Sequence, residues 1–217
     1  MFFDADDEPN SVYVASHLKV LAGRDEPAAT FARLTPDAFG QIGDVRVGLS
    51  TLQDDGPNSV FNRIPWAGAG SLGLPRSVFD QLGGFESAMI GAEDIEFCIR
   101  MWKAGIPLVA APNAVCRIRT RESPRAVFRQ RKAYAIAHVA IARAHWPMQD
   151  PIRFAAAQVK ALMRVPAILF SAAYAYLAGG SARFEAADAV GSLVGYLVGS
   201  LRYRRLVFNI WGNSLRR

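Results

Sequence analysis

The sequence predicts an α/β domain followed by a helical C-terminal part. Three observations carry this reading. Short apolar, strand-like runs alternate with amphipathic helical segments as far as residue 145, and Gly and Pro punctuate the joins. From Pro151 onward the composition changes to Ala, Leu, Val, Phe, Tyr and Arg. The chain has 217 residues, of which 51% are hydrophobic and 20% charged. That suffices for one domain with a real core and an appendage, and it excludes a disordered tail or a low-complexity linker.

The elements follow in order. Met1–Phe3 reads as the end of a buried strand that delivers Asp4-Ala5-Asp6-Asp7-Glu8 into a loop. Residues 10–22 read as a helix, with Asn10 or Ser11 as N-cap and Gly23 as its stop. Residues 23–63 are polar and carry several Gly and Pro, so loops and short elements are expected there. The stretch Trp66–Leu74 places glycines inside an apolar segment, which implies close approach of backbone to a ligand or to another strand. Pro75 opens a short helix with Val78, Phe79 and Leu82 inward, closed by Gly83-Gly84. Residues 93–104 form the clearest helix. Ile95, Cys98, Ile99 and Trp102 share its apolar face, Glu96, Arg100 and Lys103 point away, and Gly105 and Pro107 end it. Residues 109–119 hold one or two strands, and 123–145 is a basic helix with Ser123 as N-cap and Pro124 at its first position.

The C-terminal part is expected to form two or three helices. Eighteen uncharged residues separate Arg164 from Arg183, and thirteen separate Asp188 from Arg202. A full membrane span needs about 20 apolar residues, and Pro166 and Gly179-Gly180 interrupt the longer run. Helices that lie on or dip into a membrane, with flanking arginines among anionic headgroups, fit this pattern. A soluble helical hairpin that covers the sheet or dimerises is the alternative.

Charge is unevenly spread. Residues 1–96 carry six Lys or Arg against fifteen Asp or Glu, and residues 97–217 carry nineteen against four. An acidic front suggests a cation site; a basic, apolar back should face something anionic. Arginines interleaved with apolar stretches favour a membrane surface over nucleic acid, for which no recognition motif is present. Cys98 and Cys116 form neither a disulfide framework nor a zinc-site spacing, so a reducing cytoplasmic setting without a structural metal is expected. Met1 leads into an acidic run, so no signal peptide is expected. His17, His138 and His145 lie on predicted helices without ligand-spaced partners, and surface or packing roles suit them.

Three constellations can carry chemistry, and each has a plainer reading. Alternate carboxylates in Asp4-Ala5-Asp6-Asp7 can converge on a hard divalent cation with room left for phosphate oxygens; otherwise they are a solvated acidic terminus. Glu93-Asp94 opens a helix, where acids are stabilised by the helix dipole; a carboxylate there can also take a proton from an attacking hydroxyl. Arg117, Arg119 and Arg121 alternate after a strand, with Gln130 and Tyr134 on the helix that follows. They can grip a diphosphate or simply charge an edge strand.

Taken in order, these pieces resemble the acceptor half of a family 2 glycosyltransferase with a GT-A fold. The residues concerned are Asp4-Ala5-Asp6-Asp7, Trp66-Ala-Gly-Ala-Gly-Ser, Val78-Phe79-x-x-Leu82-Gly83-Gly84-Phe85-Glu86, Gly91-Ala-Glu93-Asp94-Ile95-Glu96-Phe97-Cys98-x-Arg100 and Ala104-Gly105. Arg117-Ile-Arg119-x-Arg121, followed by Gln130 and Tyr134, is also similar to the segment after the family's sheet. The resemblance covers residues 1–140. It implies an inverting transfer of a sugar from a nucleotide-sugar donor to the hydroxyl of a glycan or lipid-linked acceptor, in cell-envelope or polysaccharide synthesis. Asp94 would be the general base, with Glu93 beside it. Asp4 and Asp6 would hold Mg²⁺ or Mn²⁺, and Asp4, Arg117, Arg119 and Arg121 would meet the donor ribose or diphosphate. Gly68, Gly70 and Trp66 would border the acceptor, although Trp66 suits a core position equally.

Two departures accompany the resemblance. Arg117 stands where many relatives have a His that helps hold the metal, so Arg117 would contact phosphate instead. The family places its nucleotide-binding strands before the Asp-x-Asp strand, at which this chain begins. The expected organisation is therefore a truncated GT-A domain over 1–146, without its nucleotide-binding half, and a helical, membrane-associating tail over 147–217. It would sit in the cytoplasm, peripheral or monotopic at the inner face of the cell membrane. The rival reading is a non-catalytic remnant that binds a membrane or a partner.

Overall fold

The structure is a computed structural model that describes residues 1–5, 7–36, 57–61, 63–89, 91–119, 121–145 and 151–208. The described residues form a mixed α/β arrangement with seven helices, as the sequence predicts. Two compact units are present. The first draws on residues up to 36, 57–88 and 93–119, and the second on 89–92 and 121–208.

The first unit is built on a four-stranded sheet of order β1-β6-β2-β5. Strand β2 (Ala29–Pro36) lies inside it, parallel to β6 (Leu108–Ile118) from Ala29↔Leu108 to Pro36↔Ile118. Strand β5 (Leu72–Gly73) pairs antiparallel with β2, and β1 (Glu8–Pro9) pairs antiparallel with β6, Glu8 opposite Arg117. Ala29, Thr30, Phe31 and Ala32 are all buried, because an interior strand is covered on both faces. That continuous burial removes the alternation that marks a strand, so the expectation of loops and short elements over 23–63 missed β2. Met1–Phe3 is likewise not a strand. Phe2 donates its N–H to the Leu72 carbonyl at 2.9 Å, one bond beside β5.

Helix α1 (Tyr13–Ala22) packs on β6 and β2, with Tyr13, Ala32, Leu34, Ala111, Ala114 and Cys116 in one core cluster. Small side chains on both strands let the helix approach closely. The helix ends at Gly23 as expected, but neither Asn10 nor Ser11 caps it. Asn10 is engaged elsewhere. Its amide donates to the Asn113 carbonyl at 3.0 Å and its Oδ1 accepts from the Val115 N–H at 3.4 Å. These bonds hold the stretch of β6 where pairing with β2 shifts between Phe31 and Arg33, around Pro112, which has no N–H to give. A separate hairpin joins β3 (Asn58–Val60) to β4 (Ile64–Trp66).

Helix α2 (Arg76–Gln81) follows Pro75, and α3 (Glu93–Lys103) follows it in the same unit. Two expectations for α3 are corrected. Glu96 and Arg100 do not point away. Glu96 is only 9% exposed, and Arg100 Nε donates to its Oε1 and Oε2 at 3.0 and 2.8 Å. The remaining arginine N–H groups donate to the carbonyls of Leu82 and Gly84, the latter at 2.7 Å. The glycine turn after α2 leaves carbonyls without partners, and an arginine one helix away supplies them. Trp102 is not core: it is 37% exposed, with the Arg63 guanidinium over its ring.

The second unit is helical: α4 (Pro124–Ala144), α5 (Pro151–Met163), α6 (Val165–Ala178) and α7 (Ala182–Tyr203). Ser123 caps α4 as expected, its Oγ accepting from the Ala126 N–H at 3.2 Å. Helices α4 and α7 touch along Gly191, Gly195 and Gly199, where a Cβ at Gly195 would lie 2.5 Å from the Lys132 carbonyl oxygen. Across that seam Arg131 pairs with Asp188, and His138 meets the Tyr196 hydroxyl at 3.1 Å. Helix α6 is apolar on every side yet exposed, with Phe170 at 78% and Leu177 at 82%. Pro166 sits in its first turn, and Gly179 and Gly180 end it at positive φ. Among the described residues no single helix is long and apolar enough to cross a bilayer; α5 and α6 together, bent by 40°, reach that length and composition.

Candidate functional site

The glycine segment between β4 and β5 is the centre of the candidate site. Residues Ala69–Ser71 form a single 3-10 turn, in which the Ser71 N–H and hydroxyl both donate to the Gly68 carbonyl at 2.9 Å. Asp94, in the first turn of α3, reaches this turn: its Oδ2 accepts from the Ala69 N–H at 3.1 Å. Its Oδ1 accepts from the Ile95 N–H at 2.7 Å. A Cβ on Gly68 would stand 3.7 Å from Asp94 Oδ2. Burial pushes the Asp94 carboxyl from an ordinary 3.8 up to about 6. The Ile95 and Ala69 N–H bonds pull it partly back, and the neighbouring Glu93 charge raises it. A carboxylate with that affinity for a proton suits general-base work near neutral pH.

The acidic N-terminal segment meets the same turn at Gly70. A Cβ there would lie 3.0 Å from Asp7 Oδ2 and 3.8 Å from Asp4 Cγ. Asp7 donates its N–H to the Asp4 carbonyl at 3.1 Å, so this segment is a turn that brings positions 4 and 7 together. Sequence reasoning placed these acids in a loop at a strand end and singled out Asp4 and Asp6; Asp6 lies outside the described residues, and Asp7 is the carboxylate that stands with Asp4 at Gly70. Among the described residues no group of three or more His, Cys, Asp or Glu stands ready for a metal ion. Asp4 and Asp7 nevertheless suit a hard cation of the Mg²⁺ type, which is commonly bound by one or two carboxylates together with substrate phosphate oxygens.

The supporting side chains were not legible as functional. Tyr13 is buried, and its hydroxyl lies 3.2 Å from the carbonyl oxygens of both Phe2 and Gly70. Burial, followed by the Cys116 and Asp7 charges, pushes its pKa upward, so it remains a neutral donor. His17 packs edge-on to Tyr13, ring centroids 4.6 Å apart. Its Nδ1 lies 2.7 Å from Thr30 Oγ1, and that hydroxyl gives its one proton to the Gly73 carbonyl at 2.9 Å. The His17 Nδ1 is therefore the protonated nitrogen. Burial and the N-terminal charge lower its pKa to about 4, which keeps it neutral. Phe2, Phe79, Phe85 and Phe97 form one aromatic cluster with centroids 5.2 to 5.4 Å apart. The Gly83-Gly84-Phe85 turn thus anchors Phe2, two residues before the first acid.

The remaining predicted residues are placed as follows. Glu93 is half-buried at the start of α3, just after Gly91 and Ala92, both at positive φ. Trp66 is 5% exposed and packs in the core. Arg117 lies in β6, exposed, with its guanidinium 3.7 Å from Glu8 on β1. Strand β6 ends at Ile118, so of the three arginines only Arg117 is in a strand, and it is not on an edge. Arg119 follows in the first unit and Arg121 opens the second. In the second unit Gln130 donates to the Tyr134 hydroxyl at 3.2 Å, and Tyr134 packs over Gly91.

The profile of glycosyl transferase family group 2 matches residues 44–208. The chain belongs to that family. The glycosyl transferase match includes the glycine turn, the Gly-Gly-Phe turn and Asp94, and continues through all four helices of the second unit. It begins after Asp4–Asp7. No curated protein matches the chain. Family membership makes the chain a glycosyltransferase by type, and the family implies a nucleotide-sugar donor and an acceptor.

Proposed function

We propose that the chain transfers a hexosyl group from a nucleotide-sugar donor to a hydroxyl of a glycan or lipid-linked acceptor, with inversion at the anomeric carbon. Asp94 takes the acceptor hydroxyl proton. The acceptor oxygen forms a bond to the anomeric carbon as that carbon's bond to the diphosphate breaks, and the electron pair leaves with the diphosphate. Glu93 raises the proton affinity of Asp94 by its charge. Asp4 and Asp7, which meet Gly70, would hold Mg²⁺ or Mn²⁺. When bound, that ion supplies charge neutralisation to the leaving diphosphate. Arg117 and Arg119 would add positive charge toward the donor. Gly68, which a Cβ would bring against Asp94, leaves room for an acceptor.

One observation carries this reading: a single glycine turn receives Asp94 at Gly68 and Ala69 and the acids Asp4 and Asp7 at Gly70. The base and the diphosphate-side acids then meet one short backbone segment, which favours their acting on one bound substrate. The exposed apolar surface of α6 and the arginines Arg164 and Arg183 at its ends support a location on the cytoplasmic face of the cell membrane. The same surface favours the second reading, a membrane- or partner-binding module without catalysis. Nucleoside diphosphate release from UDP-, GDP- and dTDP-sugars by membranes carrying the protein separates the two. Release that depends on the protein and on Mg²⁺ or Mn²⁺ supports the enzyme. Membrane binding without release supports the module.

A further inference from the structure

The acidic segment is held by a residue that neither composition nor motif singles out. Phe2 is fixed at three points. Its N–H donates to the Leu72 carbonyl at 2.9 Å, its carbonyl faces the Tyr13 hydroxyl at 3.2 Å, and its ring packs on Phe79 and Phe85 at 5.3 and 5.2 Å. The same Tyr13 hydroxyl lies 3.2 Å from the Gly70 carbonyl. Tyr13 itself cannot drift: it is 1% exposed in the core between α1 and the sheet, and its ring is wedged against His17. One phenol therefore joins Phe2, two residues before the first acid, to Gly70, the residue the acids rest against. The hydroxyl has a single proton for two carbonyls, so each contact is partial, and the pair is worth about as much as one ordinary hydrogen bond.

We propose that Tyr13 is a positioning residue, whose hydroxyl ties Phe2 to Gly70 and so keeps Asp4 and Asp7 together against the glycine turn. Without the hydroxyl the aromatic cluster still anchors Phe2, but the acids gain freedom to part, and a cation held by both loses its preformed pair of oxygens. The consequence for metal binding rests on the assignment of Asp4 and Asp7 above; the consequence for backbone order does not.

The test uses the full chain and the variant Tyr13→Phe, which keeps the ring. Two readings are taken: hydrogen–deuterium exchange at the amides of Asp7 and Ser71, and Mn²⁺ affinity by electron paramagnetic resonance. Tyr196→Phe, which removes a buried hydroxyl contact to His138 in the other unit, is the control for general loosening. Exchange at Asp7 should rise in Tyr13→Phe and not in Tyr196→Phe, and Mn²⁺ affinity should fall about three- to tenfold in the first alone. Phe2→Ala, which removes the ring anchor and leaves Tyr13, should move both readings the same way, and it decides the matter if Tyr13→Phe does not fold. Wild-type exchange and affinity in Tyr13→Phe, or equal changes in both tyrosine variants, would overturn the proposal. Should the wild-type chain bind no Mn²⁺ while Asp7 exchange still rises in Tyr13→Phe, the positioning role stands and the metal assignment of the acids is what fails.

Discussion

Replacing Asp94 by Asn should remove the base and, at neutral pH, make the fold more stable. The carboxyl rises from 3.8 to about 6 on folding because it is taken out of water. That displacement corresponds to about 3 kcal/mol between the protonated and ionised forms. This is an upper bound, since Asp94 keeps some solvent access. The sign follows from proton binding. Between pH 3.8 and about 6 the folded chain holds a proton that the unfolded chain has released, so stability from this group falls as pH rises through that window and levels off above it. Asn carries no charge and escapes this cost. Its amide oxygen can serve one of the two N–H groups that Asp94 now satisfies, and the N–H left facing an amide nitrogen costs about 1–2 kcal/mol. The net at pH 8 is a gain of about 1–2 kcal/mol for the variant, reversing to a small loss at pH 4. Urea unfolding of both proteins from pH 4 to 8 measures it. A stability difference that is flat across that range would refute the raised pKa and the burial argument behind it.

Arg100→Met should destabilise the first unit by about 3–5 kcal/mol, because Glu96 would remain buried without the Arg100 charge and the carbonyls of Leu82 and Gly84 would lose their donor; urea unfolding reads this, and a loss under 1 kcal/mol would contradict it. Gly195→Val should cost more than the roughly 1–3 kcal/mol usual for overpacking, since the obstacle is the Lys132 backbone, whereas Gly105→Ala, with open space around it, should cost only the strain of its positive φ; equal losses would mean that α7 does not pack on α4 through its glycines. Phe170→Asp with Leu177→Asp should abolish flotation with vesicles of anionic lipid while leaving the melting temperature unchanged, because both side chains are exposed; unchanged flotation would remove α6 from membrane binding.

Legibility in the sequence followed the range of the forces involved. Helices α3 and α4 were legible because their signals are local: apolar spacing and Gly105 for one, Ser123 and Pro124 for the other. Strand β2 was not, since its partners lie far along the chain, Ala29 opposite Leu108, and its burial on both faces erases alternation. At the site, Asp94 was legible from its place at a helix start and from the family resemblance. Asp7 was not, because Asp-x-Asp singles out alternate carboxylates, and the backbone bond from Asp7 to Asp4 that makes the segment a turn has no side-chain signature. The Glu96–Arg100 pair had the spacing of an ordinary surface ion pair. Its burial depends on the carbonyls of Leu82 and Gly84 from another element.

The most direct test of the central assignment is the rate of sugar transfer by wild type and Asp94→Asn, measured in membranes carrying the full-length protein as the cell makes it, with saturating Mn²⁺. Transfer by the wild type should fall away below pH about 6, where Asp94 becomes protonated, and Asp94→Asn should lose about 10²–10⁴ in rate above that pH, with the gap narrowing below it. Transfer by Asp94→Asn within a few-fold of the wild type would show that another group accepts the proton.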